Sequence, residues 1–271
     1  MNRKIVEQIQ KICDDTKKNM NINDIVIRDD VFLLLQESDC TVLYYPLPNE
    51  AISGNEGCAG CHIEKLVNGR PRQFVFINTS NTRERQAFSV AHELGHILCI
   101  DQRIYDIFPE CRDSVSEEDI VNRFAAELLM PEQEFKTVLK ERLKAIDYDG
   151  EKIMVSQLVE ISAYMMNYFF VPFKSVIRRY QEIGRLKEQD VDRLNKYNDS
   201  QFLREIIKAK QYTRLLIVNE EKSMDNLQEL LFRADRQNVL NGNLASRLRD
   251  EFDLANDPEN TEEGEDTALN F

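Results

Sequence analysis

The sequence predicts an α+β fold in which a domain with a short β-sheet is followed by a mostly α-helical extension. Three observations carry this expectation. Thr41–Tyr45 and Phe74–Ile77 are rich in β-branched and aromatic residues and are bounded by Pro, Gly and Asn, as strands are. Around them apolar residues recur at helical spacing, most clearly in residues 3–19 and 117–130. With 271 residues, 42% of them hydrophobic, the chain buries a core without cross-links, so its six scattered cysteines are expected to be reduced thiols.

Residues 3–19 place Ile5, Val6, Ile9, Ile12 and Cys13 on one helical face, and a second amphipathic segment runs from Ile25 to Glu37. Pro46 to Gln73 contains Gly54, Gly57, Gly60 and Asn68-Gly69, which reads as a loop and a hairpin. Asn81 with Glu84 resembles a capping box that opens a helix reaching about Ile100. Ser114 or Ser116 opens the next helix, over Glu117–Met130, which Pro131 stops for want of a backbone donor. Ser156–Asn167 and Phe173–Ile183 form two helices joined by a short turn, with Pro172 before the second and Gly184 after it.

The expected organisation is a leading helix over 1–21, a main domain over 22–150, a helical pair over 151–187 and a helical extension over 188–250. Residues 251–271 carry eight acids and no Lys or Arg, and are expected to be a disordered acidic tail. The 35 Lys and Arg against 48 Asp and Glu give a net charge of −13, which disfavours a general grip on nucleic acid phosphates. Ile161–Phe173, free of charge for 13 residues, falls short of the ~18 that span a bilayer. The N-terminus has no apolar leader, so a cytoplasmic location is expected.

The chemistry concentrates in His92-Glu93-Leu94-Gly95-His96. Residues four apart lie one above the other on a helix, so two imidazoles share one ion, and the intervening Glu is placed to act as general base. Only three histidines occur in the chain, which makes a chance match rare. Gly95 costs ~0.8–1 kcal/mol against Ala inside a helix, which suggests that another segment approaches closely there. A catalytic zinc takes three protein ligands, and a carboxylate is the natural third. On the helix after Ser116, the helical wheel puts both Glu117 and Glu118 on the buried edge and turns Asp119 away, and it does not choose between the two glutamates.

Arg85-Gln86-Ala87-Phe88-Ser89-Val90-Ala91 before the motif, and Asn122-Arg123-Phe124-Ala125-Ala126-Glu127-Leu128-Leu129-Met130-Pro131 after it, resemble the two signature helices of the ImmA/IrrE metallopeptidases. The likeness runs from about residue 22 to 187, and Val121 departs from the alanine usual before the Asn. It implies a zincin-like domain in a gluzincin arrangement with one catalytic zinc held by His92, His96 and Glu118. Asn122 would orient a ligand from behind, and Glu93 would take a proton from the attacking water and return it to the leaving amine. The implied substrate is a helix-turn-helix repressor of a mobile element or stress regulon, cut at a specific site. A non-catalytic zinc-fold regulator that binds such a partner is the competing expectation, and a stress or toxin-system component with another protein substrate is a third.

Other features receive plainer readings. Tyr105 is one possible oxyanion donor. Cys58-Ala59-Gly60-Cys61-His62 matches a haem-attachment pattern, but that chemistry needs an exported chain, so a hairpin with incidental cysteines is expected, with a redox pair able to reach the zinc as the sharper alternative. Cys99 is expected to be a buried structural thiol. Phe173, Val176, Ile177, Tyr180 and Ile183 form an apolar stripe that leaves Lys174, Arg178 and Arg179 outside, giving a superficial likeness to a DNA-binding helix-turn-helix. A structural or substrate-docking role is preferred, direct DNA binding is not expected, and the acidic tail is a candidate steering element for a basic repressor.

Overall fold

The computed structural model describes residues 1–48, 59–148, 150 and 152–254. The leading helix α1 spans Arg3–Asn19, where the Asn2 side chain accepts from the Ile5 amide and Ile5, Ile9, Ile12 and Cys13 are buried. The second segment is shorter than its periodicity suggested: a 3₁₀ turn at Arg28–Asp30 leads into α2, Val31–Gln36. Strand β1 (Cys40–Tyr45) follows, then β2 (Gly60–Val67) and β3 (Arg70–Asn78). Asn68 and Gly69 have φ of 53° and 74°, the paired positive values that a two-residue hairpin requires and that Asn-Gly supplies at least cost.

The sheet order is β2-β3-β1-β4, with β1 parallel to β3 and the other neighbours antiparallel. Strand β4 is only Ser223–Met224 and comes from the extension, where none was expected. The Asp225 carboxylate accepts from the Val42 amide at 2.8 Å, and the Asp225 amide returns a bond to the Val42 carbonyl. The same segment reaches the helix α3 (Arg83–Ile97): Ile217 offers its carbonyl to the Arg83 amide at 2.7 Å, and the Leu216 amide donates to Glu84. Thr82 holds the N-cap position but makes no side-chain capping bond, and the extension satisfies one first-turn donor of α3, the Arg83 amide. The expected Asn81–Glu84 capping box is absent, because Glu84 is taken by Thr82 and Leu216.

Helix α3 stops three residues earlier than expected. Cys99 takes a left-handed φ of 49°, and the chain restarts as α4, Ile100–Ile107. That corner turns Cys99 outward, so it is exposed and not a buried thiol. Helix α5 (Glu117–Leu129) begins at Ser116, whose hydroxyl accepts from the Asp119 amide, and is followed by α6 (Glu132–Ala145). Helices α7 (Val155–Phe169) and α8 (Phe173–Glu182) form the anticipated pair, with Phe173, Val176, Ile177 and Tyr180 buried.

Arg179 was expected outside that stripe but is buried, bonded to Glu127, Glu182 and the Met130 carbonyl, so it offers nothing to a phosphate. The extension continues as α9 (Glu188–Asn195), α10 (Gln201–Ala209), α11 (Leu227–Arg236) and α12 (Gly242–Glu251). The first acids of the expected tail are ordered here: Glu251 closes α12 and bonds Lys222 and Tyr45. The acids from Asp257 onward lie outside the described residues. Among the described residues no helix is long and apolar enough to cross a membrane.

Candidate metal centre

Helices α3 and α5 pack closely because Gly95 has no side chain. A Cβ there would lie 2.8 Å from Val121 Cγ1 and 3.2 Å from Phe124 Cδ1. Val121 is thus the residue that Gly95 abuts. We expect Gly95→Ala to cost about 1–3 kcal/mol by overpacking, less the helix-propensity gain, with Val121→Ala in the same chain recovering part of it. Urea unfolding of the two variants checks this, and a Gly95→Ala chain as stable as wild type would contradict it.

This approach brings the first turn of α5 over the histidines of α3. His92 Nε2 and His96 Nε2 lie 3.2 Å apart, with Glu118 Oε2 3.3 Å from the first and Oε1 3.5 Å from the second. Ligands 2.0–2.1 Å from a tetrahedral zinc stand about 3.3 Å from one another, so these separations fit one small cation. The three residues form a His-His-Glu group whose ligand atoms all lie within 4.8 Å of one another.

The helical wheel left two glutamates open, and the geometry sets them in different places: Glu118 groups with both histidines as a candidate ligand. Glu117 reaches the other ring nitrogen of His96, with Oε1 3.1 Å from Nδ1. A carboxylate only accepts, so Nδ1 carries the hydrogen and Nε2 presents its lone pair to the point that Glu118 faces. Neither glutamate lies on a buried edge as the wheel had it: their side chains are 56% and 64% exposed. The apolar stripe of α5 packs from Ile120 onward, beyond the first turn that carries both glutamates.

Asn122 hydrogen-bonds the His92 side chain from one turn further along α5. Burial lowers the His92 pKa, Glu118 opposes that fall and His96 adds to it. A neutral imidazole is the form that ligates a metal. Glu93 is 5% exposed. Burial, and then the charge of Glu118, push its carboxyl up to about 7. Space for that carboxylate comes from the sheet, since a Cβ on Gly60 would stand 3.0 Å from Glu93 Oε1.

Two expectations are corrected here. The Tyr105 hydroxyl donates to the Val115 carbonyl at 2.9 Å and is buried, so it braces the turn before α5 and is no oxyanion donor. Cys61 alternates with Gly60 and His62 along β2, and these two face α3, so the Cys61 thiol is turned from the metal site. Cys58, the other half of the redox pair, lies outside the described residues. Sequence reasoning missed the clasp of Glu117 on His96 and the contact of His62 with the site. The only signals for these were the two adjacent glutamates and a third histidine.

A short mixed sheet backing a His-Glu-x-x-His helix, with a carboxylate brought in from the next long helix, defines an α+β zincin-like metallopeptidase domain. Residues 35–180 match the Peptidase_M78 family, described as the IrrE N-terminal-like domain, and the chain belongs to that family. No curated protein matches the chain.

Proposed function

We propose that the chain is a zinc-dependent, site-specific endopeptidase whose substrate is a helix-turn-helix transcriptional repressor. The convergence of His92, His96 and Glu118, with the buried Glu93 beside them, carries this reading. Such a donor set suits zinc, which supplies Lewis acidity to the scissile carbonyl when bound. Glu93 accepts a proton from the attacking water and passes it to the leaving amine. Glu117 and Asn122 hold the two imidazoles in place. The net charge of −13 suits a basic partner such as a DNA-binding protein. The repressor target itself rests on the family likeness.

The test compares new protein N-termini in cells making wild type with cells making Glu93→Gln, after a stress such as DNA damage. A product confined to wild type identifies substrate and cleavage site. Matched profiles would favour a regulator that binds its partner without cutting it. Products from proteins unrelated to transcription would overturn the repressor assignment alone.

A further inference from the structure

A third imidazole borders the site and is not one of its three candidate ligands. His62 lies on β2, the outer strand of the sheet, two residues from Gly60 and therefore on the same face, toward α3. Its ring is parallel to that of His96 within 6°, with centroids 6.0 Å apart, so the two rings are neighbours without overlapping faces. His62 Nε2 lies 3.1 Å from Gln73 Oε1. Gln73 pairs with Glu64 across the hairpin and so is the diagonal neighbour of His62 on the same face. The amide oxygen accepts from the Nε2 hydrogen and fixes the ring against the sheet.

We propose that His62 is a positioning residue for His96, bounding the swing of its ring from the sheet side with Gln73 as the brace. The torsion that turns a histidine ring about its Cβ–Cγ bond is soft and broad, so a ring held at one atom still swings. Glu117 holds His96 only at Nδ1. The fixed ring of His62 beside it bounds the remaining swing and keeps Nε2 aimed between His92 and Glu118. The hairpin thereby acts on the metal centre by limiting the space open to the His96 ring, without contributing a ligand. This rests on the metal reading given above.

The test is zinc affinity, measured by competition with a chromophoric chelator, for wild type, His62→Ala, His62→Phe and Gln73→Ala. Removing a group that orients a ligand costs 10–100-fold in affinity, so His62→Ala is expected to bind zinc about 10-fold more weakly. His62→Phe keeps a flat ring and is expected to recover most of the loss, with Gln73→Ala falling between. Thermal midpoints in excess chelator are expected to match wild type, which separates positioning from a folding defect. Wild-type affinity in His62→Ala overturns the proposal, and so does a His62→Phe chain as weak as His62→Ala. Lost cleavage with unchanged zinc affinity would overturn it in favour of direct contact with substrate. Wild type that takes up no zinc would instead bring down the metal reading on which it stands.

Discussion

Glu93→Gln is expected to lower cleavage of the substrate by about 10²–10⁴-fold while leaving the bound metal in place, because an amide has nearly the same shape but cannot accept the proton of the attacking water. Glu93 is not among the three residues that converge as candidate ligands, so metal content should not change. A second consequence concerns the metal-free protein. Burial and Glu118 raise the Glu93 carboxyl from 4.5 to about 7, so the folded chain keeps a proton that the unfolded chain gives up. The stability contributed by protonated Glu93 is complete below about 4.5 and is lost as pH rises through about 7. Metal-free Glu93→Gln should therefore be more stable than metal-free wild type at pH 8 and no different at pH 4. Denaturation of both at the two pH values checks this, and equal stability at pH 8 would contradict it.

Arg179→Ala is expected to be the most damaging single change to stability. Its side chain is 0% exposed, Nη2 lies 2.5 Å from Glu127 Oε2 and 2.5 Å from the Met130 carbonyl, and Nη1 lies 2.9 Å from Glu182. Glu127 is itself 4% exposed. Removing one partner of such a pair leaves a buried charge with poorer compensation, which costs about 3–5 kcal/mol. Arg123 also contacts Glu127, at 3.4 Å, but engages Glu182 and Glu132 more closely and replaces only part of what is lost. Chemical denaturation measures the change. A loss below about 1 kcal/mol would show that the network contributes little and that the α5–α8 junction is held by its apolar contacts. The damage should extend to the metal site, because Glu127 and Glu118 belong to the same helix.

Local chemistry explains which features were readable in advance. Asn68-Gly69, Ser116 and Pro131 act within a few residues, and their turn, cap and stop lie where those residue types require them. Gly95 implied a close neighbour from its helix penalty alone, and α5 is that neighbour. What was not readable depends on contacts between distant segments. Strand β4 is two residues long, too short for any period, and exists because Asp225 and its neighbours bind β1 across some 180 residues of chain. Arg179 is a charged residue whose burial follows from Glu127 and Glu182, which no helical stripe reveals. The different placements of Glu117 and Glu118 follow from the crossing of α3 and α5, which sets one carboxylate near both Nε2 atoms and the other near Nδ1.

The central claim is that His92, His96 and Glu118 hold one zinc ion while Glu117 supports it from behind. Zinc per chain, measured by elemental analysis after equilibration at fixed free zinc, tests it on wild type, Glu118→Ala and Glu117→Ala. The account predicts one zinc per wild-type chain, loss of retained zinc in Glu118→Ala, and a site 10–100-fold weaker but still filled at high zinc in Glu117→Ala. Full zinc in Glu118→Ala together with an empty Glu117→Ala chain would contradict it, and would make Glu117 the third ligand.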